Sequence, residues 1–268
     1  FTKIAFQNGK INLLKAESIS DLISSETEIQ RQQAIKIMSG KSSDKFNSLR
    51  EALIKVLSSV EAKIDFPEDD LPENILNNIH LKTKSVKDEI KKILNDQKVG
   101  EMIREGFKIA IVGPTNVGKS SILNYLTRRQ VSIVSEIEGT TRDIIEARLN
   151  LDGFPVVISD TAGIRESKDE IEKKGIKLAL KSAKNSDLNI VVIEPKSVDF
   201  TDFLKDIGVK KTILVINKMD LGINNISSEI KKFDPIYISI KEEKNLDKFI
   251  NSIKENLKNK FISSENIF

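Results

Sequence analysis

The feature that most constrains the fold of this chain is a glycine-bearing octapeptide at residues 113–120, Gly-Pro-Thr-Asn-Val-Gly-Lys-Ser. Its spacing is that of a phosphate-binding loop, G-x-x-x-x-G-K-[ST]. An apolar run of strand type, Ile109–Val112, precedes it, and a helical pattern, Lys119–Thr127, follows it. Strand, loop and helix in this order direct backbone N–H groups and a helix N-terminus at an anion. The chain is therefore predicted to bind a nucleotide, with Lys119 reaching the β- and γ-phosphates and Ser120 ligating Mg²⁺.

A second motif, Asp160-Thr161-Ala162-Gly163, follows the apolar run Pro155–Ser159. A carboxylate at the end of a strand can hold Mg²⁺, usually through water, and the backbone N–H of Gly163 can approach a γ-phosphate. This motif is weak alone. Downstream of a phosphate loop and at the end of a neighbouring strand, it predicts the metal side of a nucleotide site.

A third motif, Asn217-Lys218-Met219-Asp220, follows the strand-like run Thr212–Ile216 and indicates the base. Asp220 can accept two hydrogen bonds from guanine, one from N1–H and one from the exocyclic amine, whereas adenine offers neither donor there. A site built on such paired bonds rejects the analogue that lacks them by ~10⁴ or more. Asn217 would fix guanine O6 or the neighbouring loop, and the stem of Lys218 would stack on the base.

Two further segments carry a weaker signal. Gly139-Thr140-Thr141-Arg142-Asp143 lies between the first two motifs, and its Thr141 is the best candidate for a second Mg²⁺ ligand in the triphosphate state. A plain polar linker would have the same composition. Ser239-Ile240-Lys241 follows the last predicted strand and could line the guanine pocket, although tripeptides of this kind are common.

The residue after Gly163 is Ile164, at the position where Ras-type GTPases carry the glutamine that orients the attacking water. An aliphatic side chain cannot do this. Either hydrolysis is negligible, or another side chain and another positive charge replace the glutamine. The acidic candidates just downstream are Glu166, Asp169, Glu170 and Glu172.

Composition narrows the functional class. The chain has 268 residues, of which 43 are basic and 40 acidic, so net charge is weak support for nucleic-acid binding. No basic cluster is interleaved with aromatic residues, and the charge pattern alone therefore predicts no RNA surface. The absence of cysteine excludes disulfides, thiolate catalysis and cysteine-ligated zinc within this chain, and it favours a cytoplasmic location. No apolar stretch reaches the length of a membrane span.

Residues 13–105 have a helical pattern. A first helix is predicted over Ala16–Met38, ending at Gly40, and an apolar stripe with steps of three and four follows over 46–60. The stripe continues over 75–93, after a segment of prolines and acids at 65–73 that fits a helix stop and a helix start. A helical bundle or a long hairpin is expected.

From about residue 107 onward, short apolar runs alternate with helical stretches, which predicts βαβ units around a mostly parallel sheet. The fold class expected is an α/β P-loop GTPase domain preceded by an all-α domain. The Asp152-Gly153 turn predicts a hairpin between its flanking strands. The predicted strands are Ile109–Val112, Ile144–Leu151, Pro155–Ser159, Leu188–Ile193, Thr212–Ile216 and Ile236–Ile240. The predicted helices of this part are Lys119–Thr127, Ile171–Lys184, Phe200–Ile207 and Leu246–Leu257.

At this point the chain resembles one family closely, the tRNA-modification GTPases called MnmE or TrmE. Phe1–Lys10 is similar to its F-T-K-R-A-F-x-N-G-K segment, with Ile4 in place of the usual arginine, and Ile64–Glu68 to its I-D-F-P-E hinge. The G-domain segments that match are Asn116–Ser121, Gly139–Asp143 and Asp160–Glu166. The order of helical region and G domain distinguishes this family from the ribosome-assembly GTPases.

The resemblance implies a catalytic apparatus. A K⁺ ion beside the β- and γ-phosphates supplies the charge that an arginine finger supplies elsewhere, and its ligands match Asn116, Ser135, Ile137 and Thr140. The family's water-positioning glutamate matches Glu172, with Arg165 nearby, and these two join Lys119 and Thr141 as catalytic candidates. Motifs and resemblance together assign the GTP contacts to Asn116, Val117, Gly118, Lys119, Ser120, Ser121, Ser135, Thr140, Thr141, Asp160, Thr161, Ala162, Gly163, Asn217, Lys218, Asp220, Ser239, Ile240 and Lys241.

The resemblance also implies partners. Hydrolysis in the family accompanies nucleotide-dependent pairing of G domains. The family works with the flavoprotein MnmG to add an aminomethyl-type group (a carboxymethylaminomethyl-type modification) to the wobble uridine of certain tRNAs. Its one-carbon donor is a tetrahydrofolate, and Lys10 matches a folate-contacting lysine.

We expect a fragment of such a protein, with an incomplete helical domain at 1–105, a G domain at 106–260 and the start of a C-terminal helical segment at 261–268. The folate-binding domain and the cysteine-bearing C-terminal helices of the family are not in the sequence, so the helical region should expose an apolar face. Two alternatives stay open: a ribosome-assembly GTPase, and a non-hydrolysing scaffold that binds GTP.

Overall fold

The computed structural model describes residues 1–66, 74–129, 145–160, 179–195, 207, 211–222 and 228–262. The chain divides into two compact units, Phe1–Glu101 and Met102–Ile262. The first unit is helical and the second is an α/β layer structure, so the predicted fold class is confirmed.

The first unit is built from five helices as far as it is described. They are α1 (Thr2–Gln7), α2 (Leu13–Ser24), α3 (Glu28–Met38), α4 (Lys41–Asp65) and α5 (Ile75–Glu105), the last of which continues past the boundary at residue 101. Helix α4 begins after Gly40 and carries the predicted apolar stripe, and α5 carries its continuation.

The prediction of one helix over Ala16–Met38 is wrong, because the helix is interrupted between α2 and α3. Ser25 leaves the helix in an extended conformation, and Thr27 starts the next one with a capping box. The Thr27 side chain accepts from the backbone N–H of Gln30, while the Gln30 side chain accepts from the backbone N–H of Thr27 at 3.1 Å. Such reciprocal bonds satisfy donors that a helix start otherwise leaves open.

The second unit contains a six-stranded sheet. Its elements in chain order are β1 (Phe107–Val112), α6 (Lys119–Arg129), β2 (Ile145–Leu151), β3 (Phe154–Asp160), β4 (Leu188–Ile193), β5 (Thr212–Ile216), a 3₁₀ turn (Met219–Leu221), α7 (Ser228–Lys231), β6 (Ile236–Tyr237) and α8 (Leu246–Ile262). The strand order is β2-β3-β1-β4-β5-β6, and only the β2–β3 pair is antiparallel.

The predicted hairpin is confirmed. Asp152 and Gly153 have positive φ values of 53° and 90°, the backbone that tight two-residue turns require. The side chain of Asn150 accepts from the backbone N–H of Gly153 at 2.8 Å and fixes the turn.

Strand β6 is shorter than the predicted run Ile236–Ile240. After Tyr237 the chain turns, and Ser239 pairs with Lys244 across a small loop through two backbone hydrogen bonds of 3.2 and 3.0 Å. This pairing takes the backbone groups of Ser239, whereas the backbone N–H of Ile238 still donates to the carbonyl of Ile216 in β5, so the chain leaves the sheet at Ser239.

The strands β1, β4 and β5 form the buried centre of the sheet, with apolar side chains on both faces. Their carboxyl ends, and that of β3, meet at one edge, because Ile111 pairs in register with Asp160 and Ile193 with Ile216. Ligands of open parallel sheets bind outside this edge. The three nucleotide motifs all begin there.

Helix α8 packs on the sheet and closes its other end. The ring of Phe261 lies 4.8 Å from that of Phe154 and 6.2 Å from that of Phe107, centroid to centroid. Lys254 pairs with Asp152 in the hairpin turn at 2.8 Å. The last turns of α8 thus fix the hairpin and the start of β1 together.

Candidate functional site

The phosphate loop folds as its sequence predicts, between β1 and α6. Lys119 is 8% exposed, and its ammonium donates to the backbone carbonyls of Gly113 at 3.0 Å and Pro114 at 2.6 Å. The loop's own carbonyls therefore hold this cation across the loop. Ser120 and Ser121 follow in the first turn of α6 and are exposed, while Val117 is buried beneath the loop.

Asn217, the first residue of the base motif, is buried and holds the phosphate loop. Its side-chain amide donates to the carbonyl of Val117 at 2.8 Å, and its oxygen accepts from the backbone N–H of Ile240 at 3.4 Å. Its own backbone N–H donates to the carbonyl of Ile193. Of the two roles that the sequence left open for this residue, the structure shows the contact with the neighbouring loop.

Gly118 makes that contact possible. It has φ +98°, and a Cβ built there would lie 2.3 Å from the side-chain nitrogen of Asn217. No side chain fits between the two segments, so a glycine is required on steric grounds as well as for its backbone conformation.

Lys218 makes a second link between the same two segments. Its ammonium donates to the carbonyl of Asn116 at 2.6 Å and pairs with the carboxylate of Glu194 at 2.9 Å. Asn116 and Lys218 both adopt positive φ, 62° and 60°. The side chain of Lys218 therefore extends from the base motif to the phosphate loop.

Glu194 is a site residue that the sequence reasoning missed. It belongs to no motif, and it directly follows β4. Its position in the strand order could have indicated it. Because β4 lies between β1 and β5, a polar residue at the carboxyl end of β4 lies close to the loops that follow both neighbouring strands.

Asp220, the predicted reader of the base, is exposed and accepts a hydrogen bond of 2.7 Å from the hydroxyl of Ser239. That bond is the main cause that holds the pKa of Asp220 below its ordinary value, and the positive charges of Lys241 and Lys244 act in the same direction. The carboxylate therefore stays ionised and keeps its capacity to accept from a ligand.

The tripeptide Ser239-Ile240-Lys241 lies beside the base motif. Ser239 is fully buried, and its hydroxyl also accepts from the backbone N–H of Glu242 at 3.2 Å. Ile240 contacts Asn217 through its backbone, and Lys241 is exposed. A tripeptide that gave only a weak signal in the sequence thus contributes the main group that lowers the pKa of Asp220.

Asp160 is the last residue of β3 and lies beside Ile111 of β1 in the sheet register, next to the start of the phosphate loop. Lys10 is exposed after α1 in the first unit. The other predicted site residues lie outside the described residues: Ser135, Ile137, Thr140, Thr141, Thr161, Ala162, Gly163, Arg165 and Glu172.

Among the described residues there is no group of three or more histidine, aspartate or glutamate side chains arranged to hold a metal ion. None of the described helices combines the length and the apolar character that crossing a membrane demands.

Comparison with known proteins gives a consistent result. The family model described as the MnmE helical domain matches residues 13–268. The tRNA modification GTPase MnmE of Pelagibacter ubique is 67% identical over 267 residues, and that of Rickettsia akari is 43% identical over 257 residues. These matches cover 100% and 94% of this chain but only 60% and 58% of the two relatives. Among solved structures, Era from Aquifex aeolicus bound to GDP and AlF₄⁻ is 28% identical, with a TM-score of 0.40 and 56% of each chain covered.

Proposed function

The chain belongs to the MnmE family, and from this membership we propose that it binds and hydrolyses GTP as the nucleotide-driven part of a tRNA-modifying enzyme. It spans about 60% of the length of its curated relative from Pelagibacter ubique, so activities of the whole protein are carried over as proposals.

The proposal depends on the hydrogen bonds that connect the phosphate loop with the base motif, Asn217–Asp220. Asn217 and Lys218 each donate a side-chain hydrogen bond to a carbonyl of the phosphate loop, on Val117 and Asn116. Beside them, the hydrogen bond from Ser239 lowers the pKa of Asp220 and favours its ionised form. A phosphate cradle fixed at a set position from an ionised carboxylate supports a ligand with phosphates at one end and two N–H donors at the other, which describes a guanine nucleotide.

Mg²⁺ would be held by the hydroxyl of Ser120, at the start of α6, and by Thr141 in the triphosphate state, with Asp160 acting through water. These oxygen donors are hard ligands of the kind that Mg²⁺ accepts beside phosphates and water. When bound, the ion would offset the charge on the phosphate oxygens. Lys119, which the loop's carbonyls already hold in place, would add a second positive charge without having to be ordered first.

K⁺ is part of the same proposal. Asn116 would provide one ligand, with oxygens of Ser135, Ile137 and Thr140 completing the cage, and the ion would add the charge that an arginine finger adds in other GTPases. The backbone of Asn116 is fixed, because Lys218 donates to its carbonyl. Glu172 would position the attacking water, assisted by Arg165.

The remaining assignments also follow from family membership. We place a helical domain at 1–105, a G domain at 106–260 and the start of a C-terminal helical segment at 261–268, in a cytoplasmic protein whose G domains pair when they bind nucleotide. Its partners would be an MnmG-type flavoprotein and tRNA, its product a carboxymethylaminomethyl-type wobble uridine, and its one-carbon donor a tetrahydrofolate that contacts Lys10.

Calorimetry with GTP and ATP tests the central proposal. GTP is expected to bind at least about a hundredfold more tightly than ATP, because adenine cannot donate to Asp220. In Asp220→Asn one of the two acceptor oxygens becomes a donor amide, which should weaken GTP and favour xanthosine triphosphate, whose base carries a carbonyl in place of the amine. Equal affinity for GTP and ATP would refute the proposal.

Hydrolysis is tested by the steady-state rate against protein concentration, in K⁺ and in Na⁺. A rate per molecule that rises with concentration only in K⁺ would support both G-domain pairing and the cation site. Equal rates in the two salts would refute the role of Asn116 as a K⁺ ligand. Tight GTP binding with no hydrolysis in either salt would favour the scaffold alternative instead. No observation favours the ribosome-assembly alternative.

A further inference from the structure

Helix α5 carries a line of lysines that becomes visible only when the sequence is wound into a helix. Lys84, Lys87, Lys91 and Lys98 follow one another at steps of three, four and seven residues, and all four are exposed. At 3.6 residues per turn they lie within an arc of about 60°. We call these four residues the lysine stripe.

The stripe faces away from the packed side of its helix. Val86, which is 6% exposed, and the half-buried Ile93 lie on the opposite half of α5. Gly100 lies there too, and its carbonyl accepts from the side chain of Gln33 in α3 at 3.3 Å. Packing of this apolar side within the first unit therefore turns the stripe toward solvent.

Acidic side chains in the described part of α5 form no ion pair with the stripe. Asp88 lies four residues after Lys84 and three before Lys91, and Glu101 lies three residues after Lys98, so both flank the arc and offset part of its charge. Like charges three and four residues apart cost about 0.2–0.5 kcal/mol per pair. Two like-charge pairs of this kind lie in the stripe, Lys84 with Lys87 and Lys87 with Lys91, and a bound anion would relieve the repulsion that the single flanking carboxylate of Asp88 leaves.

The dimensions of the stripe fit an extended polyanion. From Lys84 to Lys98 the helix rises about 21 Å, so the ammonium groups form a nearly straight row and not a pocket for one phosphate. A nucleic-acid backbone presents charges along such a line, and lysine contacts to it need no particular base. No aromatic residue lies within the stripe, which indicates contact with phosphates and not with stacked bases.

Resting on the proposed function, in which tRNA is the substrate, we propose that the lysine stripe is a docking surface for the phosphate backbone of the tRNA. The stripe lies in the first unit, and the nucleotide motifs lie in the second. The linear charge pattern predicted no RNA surface, because the lysines are separated by other residues and meet only through the helical period.

The test is binding of an unmodified tRNA transcript to the full 268-residue chain, followed by fluorescence anisotropy at several salt concentrations. In Lys84→Gln/Lys87→Gln/Lys91→Gln, the slope of log affinity against log salt should fall by about 2, and affinity at about 0.1 M salt should fall at least about tenfold. Glutamine has a helix propensity close to that of lysine, so α5 should stay folded. Circular dichroism checks this.

Two variants serve as controls. Lys55→Gln/Lys82→Gln/Lys92→Gln removes the same charge from exposed lysines outside the stripe and should keep most of the affinity. Lys84→Arg/Lys87→Arg/Lys91→Arg keeps the charge and should bind like the parent chain. Equal losses in the two glutamine triples would overturn the proposal, because net charge would then explain the binding.

Two other outcomes also overturn it. One is absence of tRNA binding by the parent chain. The other is stripe-dependent binding to vesicles rich in phosphatidylserine without binding to tRNA, an arm that is needed because the exposed Leu94 lies beside the stripe. GTP affinity is measured on the same preparations, so a failure of the proposed GTP site is recognised separately from a failure of the stripe.

Discussion

At the scale of single residues, the hydrogen bond from Ser239 bears on the ionisation of Asp220, the carboxylate that we propose reads the base. Because its hydrogen bond lowers the pKa of Asp220 in the folded protein, the ionised form is favoured, and its contribution is lost only as pH falls through that lowered value. In Ser239→Ala the pKa should rise toward its ordinary value. GDP affinity should then begin to fall at a higher pH than in the parent chain.

Titrations of GDP affinity from about pH 7 to pH 3 would show the earlier onset of this loss in the variant. Ser48→Ala, which removes an exposed hydroxyl of α4, is the control and should leave the profile unchanged. An identical profile in Ser239→Ala and the parent chain would contradict the assigned role of Ser239.

A second prediction at this scale concerns Glu194. Glu194→Gln removes the ion pair with Lys218, whose partners are each about one-third exposed, at 32% and 33%. Pairs of this exposure contribute about 0.2–1 kcal/mol, so GDP should dissociate up to about fivefold faster. Stopped-flow measurements with a fluorescent GDP would show it. The control is Glu255→Gln, an exposed residue of α8, and an equal effect there would contradict the prediction.

Single residues also show how far the sequence leads. The presence of both a phosphate loop and a carboxylate at Asp220 could be predicted, because each belongs to a motif with a known spacing. Glu194 could not, because its partner Lys218 is 24 residues away and only the neighbouring positions of β4 and β5 bring them together. The Ser239–Asp220 bond likewise depends on a turn that the strand prediction passed over.

At the scale of elements, the prediction concerns Gly118, which lies where the phosphate loop contacts the segment after β5. Gly118→Ala would strain a positive φ and drive a Cβ into the side chain of Asn217, which leaves a buried hydrogen bond broken. The loss of about 1–3 kcal/mol should weaken GDP binding about fivefold or more.

Gly222→Ala separates the two effects. Gly222 has a similar φ of +93°, yet nothing lies within 4 Å of a Cβ built there. It should lose stability through backbone strain alone and keep its GDP affinity. If both variants bind GDP alike, the contact between loop and strand end is not what the site depends on.

Among the elements, β4 and β5 have the bounds that the sequence predicted, because continuous apolar runs between turns leave little ambiguity. The split between α2 and α3 was missed although its signal is present. Thr27 and Gln30 have the spacing of a capping box, but the apolar period on either side hid it.

The division into two units gives the prediction at the scale of the whole molecule. GDP at about 100 times its dissociation constant adds about 2.7 kcal/mol to the stability of whatever it binds. Hydrogen exchange followed by mass spectrometry should therefore show slower exchange in β1, β4 and β5 and no change in α2–α4. Equal protection in the two units would contradict the expectation that GDP contacts only the second unit.

The first unit exposes an apolar face, as the sequence led us to expect. An open groove runs along α4, and the residues that line it include Leu49, Leu53, Leu57, Val60 and Ile90. Leu53 and Leu57 are about half exposed. The apolar residues spaced three and four apart over 46–60 predicted which side chains share this face, but periodicity alone does not say what covers it.

The aromatic contacts of Phe261 bear on how shorter versions of the α/β unit can be made. Phe107 is 1% exposed, and it owes part of its cover to that ring. A deletion variant that stops at Leu257 would uncover Phe107 and Phe154 together and loosen the first strand of the sheet. Fusion junctions and crystallisation fragments should accordingly be placed beyond Phe261, where they leave this seal intact.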